Sequence, residues 1–173
     1  MKSFHFLIQE AELFLRPYST DYRVDIESLI CFVFELSKSD LLACLSQESG
    51  SLQKEDRFWA LVKERSKGKP LAYLIGTAFF MGHEYFIEEG VLIPRPETEV
   101  LVRQTSKLIE EKRLDFPVQV LECGVGSGIV GIELALLYPE LTIVGWDISS
   151  DAVRIAKRNA DHFGCSSLQF IHG

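Results

Sequence analysis

The stretch Val118–Gly131, VQVLECGVGSGIVG, decides the fold of this chain. It opens with a short apolar run and closes on alternate glycines, Gly124, Gly126 and Gly128. A helical apolar pattern follows through Ile129, Val130, Ile132, Leu134, Ala135 and Leu137. The order is therefore strand, glycine turn, helix. Glycines suit such a turn because they accept positive φ and let backbone lie close to a ligand. The turn also opens a helix N-terminus, whose free N–H groups face whatever is bound. The stretch predicts a site for a nucleoside-containing cofactor.

Outward from that turn, strands and helices alternate. Val118–Glu122, Leu141–Trp146 and Leu168–Ile171 read as strands, and the helices between them end at Pro139 and Gly164. Alternation at this spacing implies βαβ units and a parallel sheet. The fold class expected is α/β: a helical N-terminal domain, a β-hairpin linker, then the first half of a doubly wound Rossmann-like sheet. The domains expected are residues 1–72, 73–92 and 93–173.

Composition narrows the function. Hydrophobic residues make up 47% of the 173, enough for a real core. The net charge of −7 argues against a general nucleic-acid binder, which carries a basic face. No apolar run approaches the roughly 20 residues of a membrane span. The opening MKSFHFLIQEAE meets acidic residues too early for a secretory leader. Cys31, Cys44, Cys123 and Cys165 form no C-x-x-C pair and no zinc spacing, so no metal site is expected. Reduced thiols in a cytoplasmic protein are the simplest expectation.

Residues 1 to about 70 read as a small helical bundle. Phe4, Leu7, Ile8, Ala11, Phe14 and Leu15 form one stripe, closed by Pro17. Ile26, Leu29, Ile30 and Val33 form a second, with Asp25 as its N-cap. Ser39 or Asp40 caps a short third helix through Leu45. Phe58, Trp59 and Val62 mark a fourth, ended by Gly68 and Pro70. The cluster Lys63, Arg65, Lys67 and Lys69 could suggest RNA. Without interleaved aromatics it reads as a basic helix C-terminus that complements the dipole.

From Tyr73 to Leu92 the pattern changes to a hairpin about Gly82-His83, read as a type II′ turn with His83 on the surface. Next comes Pro94-Arg95-Pro96-Glu97-Thr98-Glu99, where Pro96 fits the first position of a helix running to about Glu111. Glu97 and Glu99 would lie in its first turn, where the dipole favours anions.

Two cofactors fit the glycine loop. Gly126-x-Gly128-x-x-Gly131 with Asp147 about 20 residues on satisfies the dinucleotide fingerprint. Glu122-x-Gly124-x-Gly126-x-Gly128 equally satisfies the acidic glycine-rich pattern of S-adenosylmethionine methyltransferases. In either case Asp147 would accept both hydroxyls of a ribose. Its alternative role is a carboxylate at the start of the next helix. Glu122 favours the methyltransferase, because a carboxylate there suits a cationic ligand and repels a pyrophosphate.

At larger scale, PLAYLIGTAFFMGHEYFIEEGVLIPRPETEVLV, VLECGVGSGIVGIELA and VGWDISSDAVRIAKRNA together resemble the peptide-chain release factor glutamine methyltransferases, the HemK family. The resemblance covers Pro70–Gly173, and Arg95–Glu99 is its most specific piece. It implies methyl transfer from S-adenosyl-L-methionine to the glutamine amide of the Gly-Gly-Gln motif of release factors, in translation termination. It also implies cofactor contacts at Gly124, Val125, Gly126, Ser127, Gly128 and Asp147, with Arg95–Glu99 nearby. The helical domain would recognise the release factor, and a monomer with no direct nucleic-acid partner is expected. A nicotinamide-dependent dehydrogenase, or an amino-methyltransferase acting on a group such as adenine N6, are the alternatives.

The family's Asn-Pro-Pro-Tyr motif is absent from these residues. In the family it holds the substrate amide, so no catalytic residue is assigned. The doubly wound order would also place a fourth strand beside Val118–Glu122. The expectation is an N-terminal portion of a longer enzyme, inactive alone.

Overall fold

The computed structural model describes residues 1–111, 118–165 and 167–173. They form two units, Met1–Ile75 and Gly76–Gly173, each with its own core.

The first unit is helical: α1 (Phe4–Leu15), α2 (Tyr22–Phe34), α3 (Lys38–Ala43), α4 (Leu52–Ser66) and α5 (Leu71–Ile75). Ser3 caps α1, and Phe4, Leu7, Ala11 and Leu15 turn inward at helical spacing. Against them pack Ile26, Leu29, Ile30 and Val33 of α2 with Phe58 and Val62 of α4.

Two expected caps are corrected. α2 starts at Tyr22, so Asp25 lies inside the helix. Its buried carboxylate accepts from Ser19 Oγ at 2.6 Å and Arg65 Nε at 3.0 Å. α3 is capped by Ser37, ahead of both expected positions, Ser39 and Asp40, in a capping box with Asp40. Of the basic cluster, Arg65 is spent on Asp25 and Lys67 pairs with Glu64 at 2.6 Å. The short α5 was not legible in the sequence.

The second unit opens with an antiparallel hairpin, β1 (Thr77–Phe80) and β2 (His83–Phe86). Phe80 pairs with His83, so the loop is Met81-Gly82, one residue earlier than expected. Both take positive φ, 49° and 88°, which makes the turn type I′ and not II′. The span expected as one linker is thus divided: residues 73–75 belong to α5, while Phe80 and Tyr85 enter the second core.

Next come α6 (Thr98–Glu111), β3 (Gln119–Cys123), α7 (Ile129–Leu137), β4 (Thr142–Asp147), α8 (Ser150–His162) and β5 (Gln169–His172). α6 begins two residues after Pro96, so Pro96 and Glu97 precede the helix and of the two acids only Glu99 lies in its first turn. The three strands form a parallel sheet in the order β3-β4-β5. Each runs one residue beyond its expected end. α7 is apolar almost all round, as a helix enclosed by its neighbours must be. Ile132, Leu134, Leu141, Ile143, Ala156 and Phe170 fill the core. Among the described residues β3 pairs on one side only, with β4, and Leu121 is 62% exposed. No helix among them is long and apolar enough to cross a membrane.

Candidate cofactor site

The site is built where β3 and β4 end. The glycine loop leaves β3 at Cys123 and is held first by β4, since Gly124 and Val125 both donate to the Trp146 carbonyl, at 2.9 and 3.2 Å. Gly124, Gly126 and Gly128 take φ of 77°, 56° and 81°. That left-handed alternation excludes side chains other than glycine without strain. The two residues between them turn inward: Val125 and Ser127 are both 3% exposed. Val125 would therefore meet a ligand through backbone alone.

Asp147, the last residue of β4, faces the loop. Its Oδ2 accepts the Gly126 N–H and its Oδ1 accepts the Ser149 N–H, each at 2.9 Å. One carboxylate thus pins both the loop and the start of α8, whose own N-cap is Ser149. A carboxylate has roughly four acceptor positions, so two remain for a ligand diol. The ligand-holding and helix-start roles of Asp147 are compatible.

Glu122, on β3, is turned against the first turn of α7. A Cβ at Gly131 would stand only 2.7 Å from its Oε2. The Gly131 N–H lies against the carboxylate and favours its charge, as expected at a helix N-terminus whose N-cap, Gly128, has no side chain to offer. Burial outweighs this and, with Asp147 nearby, pushes the Glu122 carboxyl up to about 7. Its Oε2 is buried without a partner. An orphaned carboxylate oxygen of this kind suits a cation or a water.

Arg95–Glu99 forms turns into α6: Thr98 donates to the Arg95 carbonyl at 2.9 Å and Glu99 to the Pro96 carbonyl at 3.1 Å. Glu99 then pairs with Arg103 at 2.9 Å. α6 packs on α7, with Tyr138 donating to Glu110 at 2.9 Å. The segment therefore reaches the loop's helix by way of α6.

Three supporting residues escaped the sequence reading. Asn159 on α8 is fully buried and donates to the Ser127 carbonyl at 2.8 Å. A polar residue on the apolar stripe Val153, Ala156, Ala160 was the available signal. Glu133 on α7 is buried and accepts from Tyr85 Oη at 2.7 Å, with His83 Nδ1 at 2.9 Å from the same oxygen. His83 is thus half-exposed and tied down, not a free surface residue. Gly145 on β4 lets Val125 and Phe170 close over the strand, since a Cβ there would meet them at 2.7 and 2.9 Å.

Comparison with known proteins matches residues 7–76 to the family model of the PrmC N-terminal domain and residues 115–173 to a methyltransferase domain. The release factor glutamine methyltransferase of Chlorobaculum tepidum is 38% identical over 86% of this chain and 51% of its own length. That of Aquifex aeolicus is 35% identical over 84% of the chain and 50% of its own length. That of Coxiella burnetii is 36% identical over 92% and 56%. The chain spans about half the length of these curated relatives. The chain thus joins a PrmC N-terminal domain to a methyltransferase domain, and over most of its length it is similar to release factor glutamine methyltransferases.

Proposed function

We propose that this chain is the partner-recognising and cofactor-binding portion of a cytoplasmic protein-(glutamine-N5) methyltransferase. Its methyl donor would be S-adenosyl-L-methionine, and its substrate the glutamine of the Gly-Gly-Gln motif of peptide-chain release factors. Residues 1–72 would meet the release factor, and Gly124–Gly128 with Asp147 would hold the cofactor.

One observation favours this donor over a dinucleotide. Glu122 places a buried carboxylate oxygen, lacking a hydrogen-bond partner, against the first turn of α7, the helix that leaves the glycine loop. A diphosphate would be repelled there, whereas an amino-acid-bearing sulfonium would be attracted. When bound, that cofactor supplies an activated methyl group. The chain's own part is to hold it: backbone N–H groups of the loop and the spare acceptor positions of Asp147 fix the nucleoside, and Glu122 offers a charge to the cationic end. An amide nitrogen is a poor nucleophile, so its alignment matters. Orientation of this kind contributes roughly 7–11 kcal/mol in favourable cases. No residue of this chain is assigned to hold the amide.

The test is methylation of a release factor by a protein carrying this chain together with the remaining half of its relatives' length. A mass gain of one methyl on the Gly-Gly-Gln peptide is expected. No gain on that glutamine, with gain on a nucleic-acid amine instead, would move the substrate to another class.

A further inference from the structure

We infer that the β1–β2 hairpin braces the glycine loop, and that Asn159 is the positioning residue that joins the two. Asn159 is fully buried on α8. Its Oδ1 accepts the Phe86 N–H at 2.8 Å, and its Nδ2 donates to the Phe86 carbonyl at 3.1 Å and to the Ser127 carbonyl at 2.8 Å. Both amide hydrogens are used. The two bonds to Phe86 take the N–H and C=O of a single residue, as a neighbouring strand would. They also fix which way the amide points, because a flipped amide would set a donor against the Phe86 N–H.

The third bond leads into the loop. Ser127 is buried between the positive-φ residues Gly126 and Gly128, so its carbonyl direction reports the loop's conformation. A loosened hairpin would take away two of the three partners of Asn159. A buried amide deprived of partners seeks others, and its hold on Ser127 relaxes with it.

The hairpin is fastened from both sides of the loop. α7 continues directly from Gly128, and its buried Glu133 accepts from Tyr85 and meets His83. On α8, the Arg158 guanidinium lies 3.8 Å from the centre of the Phe86 ring. Arg154 and Arg158 both bind Glu88, at 2.8 and 3.3 Å. The two helices that flank the loop thus close on one hairpin, and among the described residues only the Asn159 side chain hydrogen-bonds to hairpin and loop backbone together. A ligand in the loop must then strengthen the hairpin's docking, and docking must strengthen the ligand, because coupling is reciprocal. That last statement rests on the loop being the cofactor site.

The experiment combines a turn substitution with Asn159→Asp. The aspartate keeps the acceptor for Phe86 N–H but offers no donor to either carbonyl. Gly82→Val strains the turn, and Met81→Gly relaxes it should Gly82→Val not fold. Amide exchange of Gly126 and Gly128 is compared with that of Ile143 and Val144 in β4, the middle strand of the sheet. Gly82→Val should speed loop exchange about tenfold relative to β4, and Met81→Gly should slow it. In the Asn159→Asp background both effects should vanish. Loop exchange that follows β4, or turn effects that persist without Asn159, would overturn the brace. Calorimetry with S-adenosylhomocysteine should show the same non-additivity in affinity. Should the unsubstituted protein bind none of it while the exchange coupling is present, the brace stands and the cofactor reading falls.

Discussion

Glu122 and Gly131 fit only as a pair: a Cβ on Gly131 would lie 2.7 Å from Glu122 Oε2. Inside a helix, alanine is favoured over glycine by roughly 0.8–1 kcal/mol. Gly131→Ala should nonetheless destabilise the chain, because the side chain displaces a buried carboxylate from the N-terminus of α7. In a Glu122→Ala background the same substitution should stabilise by about 0.5–1 kcal/mol. Urea denaturation of the four proteins measures this. A cost for Gly131→Ala that persists without Glu122 would place the conflict elsewhere.

Glu122 also sets a pH dependence. Its carboxyl is raised from 4.5 to about 7, burial being the largest cause. Between those values the unfolded chain releases the proton while the folded chain keeps it. The contribution of Glu122 to stability is therefore full below about pH 4.5, declines as pH rises towards 7, and is flat above. At ~1.4 kcal/mol per unit the decline is on the order of 3 kcal/mol. Glu122→Gln should remove this slope. A cationic ligand beside Glu122 should favour its charged form, so binding near pH 6 should release a proton. Calorimetry in two buffers of different ionisation heat reads that release.

Asp147→Ala should free both the loop and the start of α8, since the Gly126 and Ser149 N–H groups share this carboxylate. Loss of each charge-assisted bond costs roughly 1.5–3 kcal/mol. Affinity for S-adenosylmethionine should fall together with thermal stability, because the ligand diol loses its acceptors as the loop is freed. Unchanged affinity would confine Asp147 to the helix start. The substitution should also lower the Glu122 carboxyl, whose elevation Asp147 supports.

Met81 holds φ of 49° in the hairpin turn. Met81→Gly or Met81→Asn should stabilise the second unit by about 0.5–1 kcal/mol. Gly82→Ala should cost about as much. Thermal midpoints of the Met81 variants and of Gly82→Ala should move in opposite directions.

What the sequence disclosed follows the range of the forces concerned. All three parallel strands were legible as apolar runs, and all slipped by one residue, since hydropathy does not mark where hydrogen-bond pairing ends. The helix beginning at Lys38 was legible, but Ser37, Ser39 and Asp40 all have capping chemistry, and only the reciprocal bond of Asp40 to Ser37 selects the first. Asp25 was misread because its partner, Arg65, lies 40 residues away. Glycine announces positive φ and methionine does not, so the sequence points to Gly82-His83 where the turn is Met81-Gly82. The loop glycines and Asp147 belong to one strand–turn–helix–strand pattern that the sequence shows, and the structure sets Asp147 against Gly126. Asn159 was missed because its partners come from two other segments.

Phe86 and Asn159 are 73 residues apart in the chain. The helices of the first unit are all complete by residue 75 and can assemble while synthesis continues. The hairpin turn forms locally in microseconds, yet its docking must await the emergence of α8. During synthesis the apolar face around Phe80 and Tyr85 therefore stays uncovered for most of the translation of the second unit. That interval, set by the ribosome's pace, is when the nascent chain most needs protection from its neighbours.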